Sequence, residues 1–205
     1  MSNDLQTKTG SFIGHLAELR SRLLKTFIFL LVSFVVCYFF SAEIYKFLVK
    51  PYNNAIIESG LDRKLIFTAL HEAFLTYLKV AFFTSFFITS PILLTQIWKF
   101  VAPGLYKTEK KALLPYLILT PLLFFLGGML VYYLIMPLAI KFFLSFEMPA
   151  TTNSLAIVLE AKVNEYLSLI MKLIFAFGIS FQLPVVLSLL GRIGIIDSEY
   201  LKKRR

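Results

Sequence analysis

Four stretches of this chain, residues 26–42, 80–98, 112–140 and 173–191, contain no Asp, Glu, Lys or Arg. A helix needs about 20 apolar residues to cross a bilayer core of about 30 Å. With short extensions at their ends, all four stretches meet that length. No water reaches the backbone inside such a core, so each donor and acceptor must be satisfied by the protein, as a helix does within one segment. Composition agrees: 58% of the 205 residues are apolar and 16% charged, against about 45–50% and 25% in soluble domains. The expectation is an all-α polytopic transmembrane helical bundle, one domain over residues 1–205, with four spans near 24–44, 74–98, 112–140 and 166–191. The third run exceeds what a span needs, which predicts tilt or extension beyond the membrane. Pro115, Pro121 and Pro137 lie in or beside it, where kinks are tolerated if neighbouring helices cover the freed backbone groups.

The single cysteine, Cys37, excludes a disulfide framework and cysteine-rich metal sites. The first apolar run is followed by Glu43, Ile44 and Tyr45, not by a small-residue cleavage site, and reads as an anchor. Segments 1–25, 99–111 and 192–205 hold thirteen of the 21 Lys and Arg residues, whereas segments 43–72 and 141–165 hold six. The positive-inside rule puts the first group in the cytoplasm, so both ends face inward. This basic excess is a topology signal. Its residues are dispersed among spans without a nucleic-acid-binding motif, so no nucleic-acid partner is expected.

Between the spans, residues 1–11 read as a polar tail and 12–25 as an amphipathic helix running into the first span. Residues 46–72 read as an outer loop with a break at Pro51 and a turn at Gly60. Pro103-Gly104 marks the turn of a short inner loop. Residues 141–165 form a second outer loop, turning at Met148-Pro149-Ala150 and Thr152-Asn153-Ser154. His15 and His71 fall on opposite sides of the membrane, which excludes a shared metal. His71-Glu72 lacks the second histidine of a zinc-protease helix. With no P-loop, no G-x-S-x-G, no G-x-G-x-x-G and no cluster of acid, base and nucleophile at one depth, no enzyme activity and no cofactor are expected.

Several residues carry two readings. Phe12, Leu16, Leu19 and Leu23 share one helical face, and Glu18 lies four residues before Arg22, the favourable polarity for a surface pair that only anchors the helix. In the inner loop, Trp98 and Tyr106 suit the headgroup belt, while Phe100 and Leu105 gain little from exposure unless something docks on them. Glu109, the one acid among Lys99, Lys107, Lys110 and Lys111, fits a local ion pair. Lys79 and Lys172, one or two turns from their outer boundaries, can snorkel outward or line a pathway. The Gln182 amide, in mid-span, needs a partner: either a neighbouring helix or a docking polar segment.

His15-Leu-Ala-Glu-Leu-Arg-Ser-Arg-Leu23 at the membrane boundary resembles the opening signature of the TatC family, the multi-spanning receptor subunit of the twin-arginine protein translocase. The likeness continues through Ser90-Pro-Ile-Leu-Leu-Thr-Gln-Ile-Trp98, Phe100-Val-Ala-Pro-Gly-Leu-Tyr-Lys-Thr-Glu-Lys-Lys111 and Ala176-Phe-Gly-Ile-Ser-Phe-Gln-Leu-Pro184, in order and between the right spans. The resemblance implies a receptor for folded cargo bearing twin-arginine signal peptides, driven by the proton-motive force. It assigns signal-peptide binding to Glu18, Arg20, Leu23, Phe100, Pro103, Leu105, Tyr106 and Glu109, and partner-helix contact to Gln182 and Pro51. An arginine pair presents planar donor forks that carboxylates accept bidentately and a lysine ammonium cannot copy. The implied partners are signal peptides, single-span subunits of the TatA/TatB type, lipid and further copies of the chain. The implied location is the bacterial inner membrane, or an organellar one, with the N-terminus cytoplasmic. The family has six spans, so the last two are expected to be absent here, and Gln182 stands where many bacterial members carry glutamate. The alternative is a small transporter or channel using Lys79, Lys172 and Gln182, or a truncated remnant without function.

Overall fold

The computed structural model describes the backbone of residues 2–61, 63–101, 110–148 and 155–192, and side chains from residue 17 onward except at 18, 98–101, 110–114 and 192. Regular structure among these residues is helical: α1 (Ser2–Phe39), α2 (Ser41–Ser59), α3 (Glu72–Val101), α4 (Lys110–Leu130), α5 (Met136–Leu144), α6 (Val163–Ser180) and α7 (Leu183–Arg192), with a π-helical turn at Val131–Ile135. Four segments are long and apolar enough to cross a membrane: Leu19–Phe39, Glu72–Ile97, Pro115–Leu144 and Val163–Gly191. The third joins α4, the π turn and α5, and the fourth joins α6 to α7. Residues 2–11, expected as a polar tail, are already within α1.

The larger departure concerns residues 46–72. Pro51 does not break the chain there, because α2 runs through it and ends at Gly60, whose φ of 67° gives the left-handed cap that glycine adopts without strain. Leu48, Tyr52, Ala55 and Ile56 fall at i, i+4, i+7 and i+8, and all four are buried. That burial outweighs the cost of an interior proline. A proline at 51 also removes the N–H that would have bonded the carbonyl four residues earlier. The Tyr132 hydroxyl takes its place, donating to Phe47 O at 2.8 Å while its ring stacks on Phe47 at 4.4 Å. One carbonyl further on, Tyr166 donates to Leu48 O at 2.9 Å. The helix α2 thus lies across one end of the bundle as a cap. The second expected loop, 141–165, is likewise shorter, since α5 persists to Leu144.

The same accounting explains the spans. Pro91, inside α3, frees the Phe87 carbonyl, and the Ser90 hydroxyl donates to it at 2.7 Å. The π turn immediately precedes Pro137, whose ring excludes an ordinary bond to Tyr133 O, and Met136 N–H reaches back five residues to Val131 O. Where α4 crosses α6, Gly127 and Gly178 let the backbones touch. A Cβ at Gly127 would sit 2.8 Å from Phe177 O, and one at Gly178 would strike the Phe124 ring. Close approach through small residues is how membrane helices gain packing energy when lipid is as apolar as leucine. Phe83, Phe87, Phe124, Phe125 and Phe175 fill the space beside that crossing.

At the cap end the links are polar. Arg63 clasps Glu147 with two bonds, Nε–Oε1 at 2.9 Å and Nη2–Oε2 at 3.1 Å, and Leu159 N–H adds a third at 2.8 Å. Single β-bridges pair Ile66 with Lys162 and Met148 with Ile157. The buried Glu72 carboxylate gathers N–H groups from Thr68, Ala69 and Asn164, so it closes the turn before α3 and the start of α6 together. These ties set α3 and α6 running parallel from the cap.

Two expected outcomes follow. Tyr132→Phe, leaving Phe47 O without a donor, lowers stability by about 1–2 kcal/mol, read as unfolding in detergent. In a Pro51→Ala background the same change costs less than half as much, because residue 51 regains its N–H; equal losses would refute the compensation. The Arg63 guanidinium, followed by the Leu159 N–H, holds the Glu147 carboxyl below the usual carboxylate range. The stability it contributes is present above the ordinary glutamate value of about 4.3 and is lost as pH falls through the depressed native value. Glu147→Gln is therefore less stable at neutral pH, with a flatter acid-unfolding profile below about pH 5.

Candidate functional site

Opposite the cap lies the end of the bundle where α1 begins and α3 finishes. The two helices run antiparallel and pack along much of their length, joined near this end by Arg22 Nη1 donating to Gln96 Oε1 at 2.9 Å. Thr26 donates to Arg22 O at 3.0 Å, holding its hydroxyl against its own helix. Further toward the cap, Phe34 meets Phe82 edge to face, with ring centroids 6.3 Å apart. Beside these contacts the two helices leave a lateral groove of about 540 Å³. Its walls are apolar, with Leu19, Leu23 and Phe27 from α1 facing Phe86 and Leu93 from α3, and Arg20 stands at its margin. The Thr89 hydroxyl on the α3 wall is buried and has no hydrogen-bond partner among the described residues. The arrangement can seat an extended apolar segment with a cation beside it. Nothing in it resembles a catalytic constellation, and no metal-ligating cluster of three occurs among the described residues.

The structure brings Arg20 and Leu23 to this groove, both exposed, Leu23 by 52%. Of the other residues assigned to signal-peptide binding, Pro103, Leu105, Tyr106 and Glu109 lie outside the described residues, as do the side chains of Glu18 and Phe100. Pro51 is elsewhere, buried in the cap. Gln182 is in mid-bundle, where the fourth span breaks between α6 and α7. Pro184 cannot donate to Ser180 O, and the chain tightens, with Gln182 N–H bonding Ile179 O at 2.9 Å. The Gln182 side chain turns inward and donates from Nε2 to Thr120 O on α4 at 2.9 Å, while its Oε1 is buried without a partner among the described residues. Of its two sequence readings, the interhelical bond is present. Lys79 and Lys172 share a groove between α3 and α6 that Gln182 does not line, so the three do not mark out one pathway.

Gln96 was not singled out from sequence, although the signal was there. It is a lone amide near the end of an apolar run, and the argument that gave Gln182 a partner applies to it equally. Ser90 escaped for a different reason: its hydroxyl matters only because Pro91 follows it.

Comparison with known proteins places the chain. The family described as "Sec-independent protein translocase protein (TatC)" matches residues 14–205. A Sec-independent protein translocase protein TatC from Magnetococcus marinus is 45% identical over 205 residues, covering 100% of this chain and 72% of the relative. The namesake from Rickettsia prowazekii is 43% identical over 198 residues, covering 97% of this chain and 77% of its own length. Among solved structures, a crystal structure of the "Twin Arginine Translocase Receptor- TatC" superposes with a TM-score of 0.77 at 35% identity, covering 92% of this chain and 79% of that one. This multi-pass membrane protein belongs to the TatC family.

Proposed function

We propose that this chain serves as the receptor subunit of a twin-arginine protein translocase, a binding protein and not an enzyme, which takes up the signal peptides of folded precursors. The observation that supports this most is the groove between α1 and α3, apolar along its length with Arg20 and Leu23 at its margin. A signal peptide combines a cationic pair with an apolar stretch. On this reading Glu18 and Glu109 accept the arginine pair, and Phe100, Pro103, Leu105 and Tyr106 shape a shelf for the residues that follow it. Arg20 and the neighbouring lysines disfavour cationic peptides that cannot bond bidentately. The Arg22–Gln96 bond keeps α1 and α3 in register, so the groove meets its ligand preformed.

The chain sits in the bacterial inner membrane with its N-terminus in the cytoplasm, since Lys and Arg gather at that end of the bundle. Single-span subunits of the TatA/TatB type and further copies of the chain are its partners, with Gln182 and the cap around Pro51 as contact regions. Transport draws on the proton-motive force.

The test is photo-crosslinking in membranes from residues 17 and 108, beside the two intact carboxylates, to signal peptides carrying Arg-Arg or Lys-Lys. Bidentate, charge-assisted bonds are worth about 1.5–3 kcal/mol each, so adducts fall by about tenfold or more with Lys-Lys. Equal adducts from both peptides, in a stably inserted protein, would overturn the assignment of the two carboxylates.

A further inference from the structure

The fold places two cations, Lys79 of α3 and Lys172 of α6, on the wall of one lateral groove of about 490 Å³. Because both helices start at the cap, simple helical rise puts them about 10 Å and about 13 Å from their helix starts, inside segments apolar enough to span a membrane. They are not equivalent. Lys79 is held, its Nζ donating to Asn164 Oδ1 at 2.5 Å and Ser168 Oγ at 3.1 Å, while Ser168 itself donates to Asn164 O. Lys172 is exposed and has no hydrogen bond or ion pair among the described residues. The acids nearby do not neutralise the pair. The Glu72 carboxylate is occupied by backbone N–H groups. Glu165 borders one neighbouring cavity with Lys79 and another with Lys172 and Glu160, but neither lysine is ion-paired to a carboxylate among the described residues. Below the two ammonium groups the wall becomes aromatic, with Phe82, Phe86 and Phe175.

We infer that this groove binds an anionic phospholipid, its phosphodiester bridging Lys79 and Lys172 and one acyl chain lying along the phenylalanine wall. Basic pockets between membrane helices recognise acidic headgroups by this chemistry, and a cation facing lipid needs a counter-charge. The size of the groove favours a lipid over a protein partner. Its 490 Å³ hold little more than one turn of a helix about 10 Å across, whereas one extended chain is thin enough to run its length. The cations also stand in the cap-side half of their spans, from which a lysine side chain can snorkel toward the headgroups. The inference does not depend on the signal-peptide assignment, which concerns the opposite end of the molecule.

Native mass spectrometry of the full chain, released from detergent with equal phosphatidylglycerol and phosphatidylcholine, tests it. Wild-type protein keeps phosphatidylglycerol preferentially. Lys79→Gln/Lys172→Gln loses that preference, by about fivefold per lysine, and Lys79→Arg/Lys172→Arg retains it. Lys172→Gln alone, at a side chain with no partner among the described residues, gives the smaller loss without a change in melting temperature. Lys141→Gln, which removes a surface lysine paired to Glu58, changes nothing. An undiminished preference in the double glutamine variant, or displacement of the lipid by inorganic phosphate at the same concentration, would overturn the inference. So would a double variant that binds lipid normally but no longer co-purifies with a single-span protein, which would assign the lysines to a partner's carboxylate.

Discussion

The backbone of this protein has to find every hydrogen-bond partner within itself, and the prolines in its helices decide where those partners must come from. Pro51 leaves the Phe47 carbonyl without a donor, and a tyrosine from the third span supplies one. Pro91 does the same to Phe87, and the serine immediately before it answers. Ahead of Pro137 the helix widens into a π turn, and ahead of Pro184 it breaks. In water such breaches would be filled by solvent at little cost. Here the protein itself must answer each one, and at Pro51 the answer fixes a contact between elements far apart in sequence. The cap helix is anchored to the third span through Phe47 and Tyr132 because α2 carries a proline.

The bundle has two kinds of cohesion, divided by depth. Within the spans it rests on close approach at Gly127 and Gly178 and on the phenylalanine cluster around Phe87, since burial from lipid into protein gains little by itself. At the cap it rests on charge: Arg63 with Glu147, and Glu72 serving two helix starts at once. The polar ties set the rotation and register of α3 against α6, which brings Lys79 and Lys172 to one groove. A carboxylate at the cap thus helps place both cations of one lateral groove.

The four spans were legible in sequence because charged residues are costly in hydrocarbon, so their absence delimits the apolar segments closely. What could not be read was α2. A proline and several polar residues between two spans look like a loop, and only the burial of Leu48, Tyr52, Ala55 and Ile56 against other spans shows why a helix wins. Gln182 was legible as an amide in need of a partner but not as a bond to the Thr120 backbone, because nothing in its neighbourhood identifies a carbonyl 62 residues away. Arg20 and Leu23 were named from a motif, and that both border one groove depends on how α1 packs on α3, which no local sequence pattern shows.

The position of that groove bears on how a receptor of this kind can work. It spans the level of the Arg22–Gln96 bond and stops short of the Phe34–Phe82 contact, so the apolar segment it admits is limited by geometry and not only by hydrophobicity. The polar bond is the more readily exchanged of the two contacts. An arginine–amide bond at the bundle's end competes with any carboxylate or backbone carbonyl a bound peptide brings to Arg22, whereas the Phe34–Phe82 contact deeper in the span has no polar competitor. Binding at this end would therefore act first on the Arg22–Gln96 bond. Movement of α1 relative to α3 would be transmitted along α3, which continues to Lys79 and the capped turn at Glu72. One continuous helix, α3, borders both the proposed peptide groove and the proposed lipid groove, and Phe86 lines both of them.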